Sequence, residues 1–180
     1  MKSPIVLVLI VISFSVGIGL GNTFLRLPSF ANSPTLGISA PKIGDKVVVG
    51  ELQYIVLSMN TTSRLGNPIP FLAKGETEGV FVIVKLTVEN IRGETKTFHP
   101  SLMVKVKDSQ SRVYEADSSA RFYLRDSIEN YSELRPGFPI KGSLVFDIPR
   151  NAGRISLLVF EGSSIGSRPA TRTIDLGVIG

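Results

Sequence analysis

The chain has 180 residues, no cysteine, no tryptophan, one histidine and a net charge of +5. Without cysteine there are no disulfides, no thiolate metal sites, no thiol catalysis and no lipid anchor attached through a cysteine. The charges are scattered, with no run of five of one sign, which reads as an ordinary soluble surface rather than a nucleic-acid-binding one.

The first element is apolar. Ser3 to Leu25 carries no charge and is mostly aliphatic, with Lys2 before it and Arg26 after it. Such a run is read by an export machinery or resides in a bilayer. Its centre, Ile5 to Leu20, makes a helix of ~24 Å, short of the ~30 Å hydrocarbon core. Adding Gly21 to Leu25 makes it long enough to span. Two fates stay open. A cleaved signal needs small residues at −3 and −1 of the cut. Ser29 and Ala31 supply them before Asn32, and Gly19 and Gly21 supply a poorer pair before Asn22. An uncleaved anchor keeps Lys2 inside and the domain outside. Both fates predict an exported domain, secreted or membrane-tethered, with any membrane contact made by residues 3–25.

Pro28 to Lys42 is rich in proline and small polar residues and reads as an extended linker. The chain is therefore divided into residues 1–31 as signal or anchor, 32–42 as linker and 43–180 as one domain. A domain of that size buries a sizeable core without staples.

Strand signals dominate the domain. Asp45–Gly50 and Leu52–Met59 are β-rich runs separated by a turn at Gly50-Glu51. Asn60–Gly79, with two prolines and several Thr and Ser, reads as a long loop of the kind that carries function. Val80–Asn90 is the strongest strand, with Val80, Val82, Val84, Leu86 and Val88 on one face. A turn at Arg92-Gly93-Glu94 follows. Leu102–Lys107 alternates as a half-exposed strand, and a turn at Asp108–Ser111 leads into Arg112–Ala116. Asp117–Pro136 is ambiguous between a helical turn and a short strand. Gly142–Ile148, Arg154–Phe160 and Thr171–Leu176 complete the set. Some eight short strands, frequent turns and no βαβ pattern predict an all-β fold. The expected form is an immunoglobulin-like antiparallel β-sandwich behind an N-terminal hydrophobic signal or anchor helix.

The landmarks fall in a familiar order. Gly44-Asp45 precedes a strand pair, a later strand ends in Val88-Glu89-Asn90, and Val113-Tyr114-Glu115 follows. Then come Leu134-Arg135-Pro136-Gly137 and Gly142-Ser143-Leu144-Val145-Phe146-Asp147-Ile148-Pro149. Over roughly Lys42 to Gly177 this resembles a widespread bacterial family of exported immunoglobulin-like domains of unknown function. The same fold group includes an immunoprotective secreted antigen. Some members carry the label telomeric-repeat-binding factor, but this chain has no helix-turn-helix pattern and no basic helix. The resemblance implies no catalytic residues. The motifs also have structural roles: Pro136-Gly137 suits a tight turn, Asn90 can bond neighbouring backbone, and Pro149 ends a strand.

Catalytic and metal chemistry find little support. His99 is alone, and zinc or copper sites usually recruit several His or Cys ligands. Ser101 lies near it without a nucleophile elbow. Glu76 with Glu78, and Glu129 with Glu133, are the carboxylate pairs, without an implied aromatic cleft. No nucleotide-binding or calcium-loop motif occurs. Asn60-Thr61-Thr62 and Asn130-Tyr131-Ser132 match the glycosylation pattern, a common chance triplet. The expectation is therefore no catalytic residue, no metal and no cofactor. The candidate partner-binding residues are Phe122, Tyr123 and Arg125, with Arg64 and Phe71 of the long loop. Aromatic and Arg side chains on the loops of a rigid sandwich are typical contact material. The expected function is an exported, non-catalytic interaction module for a protein or cell-envelope component. The rival is a membrane-tethered structural or accessory subunit.

Overall fold

Alternate residues of the strongest strand are sealed from solvent. Val82, Val84, Leu86 and Val88 are fully buried, while Ile83, Lys85 and Thr87 between them are half-buried. A computed structural model describes residues 39–66, 75–162 and 170–179. The first elements are β1 (Lys46–Val49), β2 (Leu52–Leu65), β3 (Gly75–Asn90) and β4 (Lys96–Phe98). A helical turn, α1 (Pro100–Met103), leads into β5 (Val104–Lys107) and β6 (Val113–Glu115). After a 3₁₀ turn at Ser118–Phe122 come β7 (Ser132–Leu134), β8 (Ile140–Ile148), β9 (Arg154–Phe160) and β10 (Thr171–Val178).

The strands form an antiparallel sandwich. One sheet has the order β1-β2-β3-β8, the second β10-β9-β5-β6, and β4 pairs with β7 as a separate ribbon. The main core lies between the sheets. Tyr54, Leu86 and Phe146 of the first sheet join Val106, Leu157 and Ile174 of the second in one buried cluster. Burying an aliphatic or aromatic side chain of this size contributes ~1.5–3 kcal/mol, so this layer dominates the stability. Tyr54 keeps its polar end satisfied by donating its hydroxyl to the Phe160 carbonyl at 2.8 Å.

A smaller cluster sits on the opposite face of the first sheet. Leu65, Phe81 and Val145 are buried there, with Ile83, Tyr123 and Leu124 packed against them. It explains why β8 departs from simple alternation: Val145, on the side expected to face outward, is as buried as Phe146.

Two expectations are corrected. In the stretch Asn60–Gly79 read as a loop, residues 60–65 and 75–79 are strand. Asn60, Thr61 and Thr62 face Ile83, Val82 and Phe81, and beyond a bulge Arg64 and Leu65 face Glu76 and Gly75. Ladder hydrogen bonds come from the backbone, so polar β-branched residues suffice when Leu65 is buried at the end. The strand expected at Leu102 starts at Val104, because Pro100 opens a helical turn in which Met103 is buried. The ambiguous Asp117–Pro136 stretch holds both a 3₁₀ turn and β7, and β4 was not expected at all. The N-terminal hydrophobic helix, the linker up to residue 38, and Phe71 lie outside the described residues. Among the described residues no helix is long and apolar enough to cross a membrane.

Candidate functional site

The segment from Asp117 to Ile128 is a flap laid along the free edge of β8. The Asp117 N–H donates to the Val145 carbonyl at 2.8 Å. Further on, the Ser143 N–H donates to the Asp126 carbonyl at 2.7 Å, and the Ile128 N–H to the Ser143 carbonyl at 3.1 Å. These bonds occupy backbone groups that an edge strand would otherwise offer to another chain. Between the two pins, Asp117 Oδ1 accepts from the Ser119 N–H at 2.8 Å and starts the 3₁₀ turn.

Side chains tighten the second pin. Asp126 Oδ2 accepts from Lys85 Nζ at 2.7 Å and from the Ser143 hydroxyl at 3.1 Å. The Lys85 hydrogen bond, against an opposing effect of burial and with help from Ser143, holds the Asp126 carboxyl below its ordinary range. Gly142 makes the approach possible, because a β-carbon there would stand 2.5 Å from the Asp126 carbonyl oxygen and 2.7 Å from Ile128 Cγ1.

The flap carries three of the five candidate residues. Tyr123 folds onto the small outer cluster with Leu65, and its ring lies 3.4 Å from where a β-carbon on Gly75 would be. Phe122 is 40% exposed, and Arg125 is exposed beside it. Arg64 sits on the adjacent β2 arm, paired with Glu76 across the ladder at 2.9 Å. Tyr123 meets the arm on the face of Leu65 and Gly75, whereas Arg64 and Glu76 pair at the next position of the ladder, whose side chains point to the opposite face, so Arg64 is not brought together with Tyr123. The latch residues Lys85, Asp126 and Ser143 were missed; the glycine inside the β8 motif was the available signal for a close backbone approach. Among the described residues no group of three or more His, Asp or Glu is placed to hold a metal ion.

The motif order noted above now has its geometry. Asn90 is fully buried. Its side chain donates to the carbonyls of Glu94 and Leu134 and accepts from the Arg92 N–H. Arg135–Phe138 forms the tight turn, closed by the Phe138 N–H on the Arg135 carbonyl at 3.1 Å, with Gly137 at φ +72°. Residues 41–170 match the family described as "Domain of unknown function (DUF4352)". The chain belongs to this family. DUF4352 is the bacterial β-sandwich family that the ordered motifs indicated, and its match spans well over half of the 180 residues.

Solved bacterial proteins share the DUF4352 chain's fold. The yjhA protein of Bacillus subtilis is 14% identical, covers 75% of this chain and 98% of its own, and superposes with a TM-score of 0.58. A functionally unknown protein of Listeria monocytogenes is 11% identical, with 77% and 84% covered and a TM-score of 0.54. A proposed lipoprotein of Bacillus subtilis, ycdA, is 13% identical with a TM-score of 0.52; 73% of this chain matches 38% of that longer one. At these identities the likeness shows the fold alone. No curated protein matches the chain.

Proposed function

We propose that this DUF4352 chain is an exported, non-catalytic interaction module that holds a protein or cell-envelope component through its flap and the neighbouring β2–β3 arms. One observation carries the reading: Phe122 and Arg125 are presented to solvent on a segment pinned at both ends and anchored between them by Tyr123. Aromatic and Arg side chains are the residues that most often anchor interfaces. A segment already ordered loses little further freedom when it binds. Export is supported by the uncharged run Ser3–Leu25 and by the lipoprotein description of ycdA. The same run, followed by a proline-rich linker, favours a second reading in which the module is a tethered accessory subunit.

The test is site-specific photocrosslinking of the full chain in its native cells, from position 122 and, as control, from exposed Arg172 on β10. A partner captured from 122 and lost with Arg125→Ala supports the reading. Equal capture from 172 sinks it. The intact mass separates the two forms: loss of about 21–31 residues in the soluble exported fraction marks a secreted module, and a full-length mass in membranes marks a tethered one.

A further inference from the structure

A second candidate site lies away from the latch, at the corner where β4, α1 and the end of β9 meet. It is a cavity of about 280 Å³ lined by Thr97, His99, Leu102, Met103, Phe160 and Glu161. That volume is near the lower end for ligand sites and suits one long side chain rather than a drug-sized molecule.

Its lining is unusual for idle surface. Met103 is buried, and its sulfur accepts the His99 N–H at 3.3 Å, which fixes the corner. Leu102, in contrast, is 61% exposed. The His99 ring lines the cavity and is itself met edge to face by Tyr131, with centroids 3.7 Å apart. Tyr131 is itself 70% exposed and held at φ +65°, a left-handed conformation that aromatic residues rarely adopt. Such conformations persist where surrounding structure enforces them and cluster at binding sites.

The charge points the same way. Glu161 is half-buried, and its carboxylate lies directly over Gly50, where any β-carbon would overlap it. Among the described residues no cation pairs with it. Lys96, on the neighbouring β4, is engaged by Glu51 instead. Burial and, after it, the charge of Glu161 push the Tyr54 phenol upward, as expected of a carboxylate turned toward the protein. A partly desolvated carboxylate is best satisfied by a cation that brings its own apolar stem.

We infer that this cavity receives an arginine side chain from an extended segment of a partner polypeptide. Glu161 meets the guanidinium, Leu102, Met103 and Phe160 cover the aliphatic stem, and the His99 ring, held by Tyr131, offers an aromatic face. Arginine fits better than lysine because its planar head stacks on rings while its edge bonds a carboxylate.

The experiment is an NMR titration of the ¹⁵N-labelled full chain in detergent micelles with N-acetyl-arginine amide, its citrulline analogue and N-acetyl-lysine amide. The expected result is saturable shifts at Thr97, His99, Leu102 and Gly162 with the arginine compound and none with citrulline. Glu161→Gln weakens that binding at least tenfold. Tyr131→Gly, which relieves the backbone and removes the ring, also weakens it while the other resonances stay in place. Phe122→Ala leaves the titration unchanged, which separates this site from the flap. Absent shifts, equal shifts with citrulline, or binding that survives Glu161→Gln overturn the inference. Tighter binding of the lysine compound overturns the choice of arginine.

Discussion

Gly142 lies against Asp126 so closely that a β-carbon would stand 2.5 Å from the Asp126 carbonyl oxygen. Backbone cannot swing aside as a flexible side-chain end can, so Gly142→Ala must lift the flap or shift β8. Overpacking of this kind costs about 1–3 kcal/mol. The variant is expected to melt at lower temperature and to be cut faster by trypsin at Arg125, which the native flap holds in place. An unchanged melt with unchanged cleavage would show that the flap is not pinned at this point.

Tyr123 and its neighbour Phe122 should separate under truncation. Tyr123→Ala empties a position packed on Leu65, Phe81 and Val145, so a loss of about 2–4 kcal/mol is expected for a partly buried aromatic. Phe122→Ala should cost less than half of that, the residue being 40% exposed. Urea unfolding of both variants measures the contrast. Equal losses would place Phe122 in the core and remove it as a contact residue.

How much of this was legible in the sequence depended on burial of one face. Val82 to Val88 alternate cleanly because one side meets the core and the other stays half-exposed, and Arg154–Phe160 was placed to the residue for the same reason. The arms at Asn60–Leu65 were read as loop because their pairing rests on backbone bonds, which Thr, Asn and Ser do not advertise. Val145 shows the opposite failure. Its burial comes from Tyr123 and Leu124 of a distant segment, and no local period encodes that. The same holds for the sites. Phe122, Tyr123 and Arg125 stood out as an aromatic and basic cluster, whereas the corner of His99, Tyr131 and Glu161 is assembled from three separate parts of the chain.

Asn90 is expected to be among the least replaceable polar residues. Its side chain closes three bonds inside the protein, to the carbonyls of Glu94 and Leu134 and from the Arg92 N–H. Leaving a buried partner unsatisfied costs about 1–3 kcal/mol. Asn90→Ala should therefore lose roughly 2–4 kcal/mol in urea unfolding. Asn90→Asp should lose at least as much near neutral pH, because it sets a carboxylate oxygen against two carbonyls. A milder effect of Asp than of Ala would mean that the amide does not donate as described.

Acid should weaken the fold through three carboxylates held below their ordinary range. Burial alone would raise Asp108, but it is outweighed by hydrogen bonds from the Arg112 side chain and N–H, the Tyr114 hydroxyl and the Gln110 N–H. The Lys85 hydrogen bond is the main cause at Asp126, and the Gly177 N–H, helped by Arg154, at Asp175. In each case the folded group binds its proton less readily than the unfolded one, whose value is about 3.9. The stability they contribute is fully present above that value and is lost as pH falls through the lower folded values. Stability should thus be flat above about pH 5 and fall steeply below about pH 4. Asp108→Asn should be less stable than the native chain at neutral pH, and the gap should narrow as the pH drops, because the carboxylate's advantage disappears on protonation. Urea unfolding of both proteins between about pH 2 and 7 measures this. Curves that fall in parallel would show that Asp108 is not an acid-sensitive support of the β5–β6 turn.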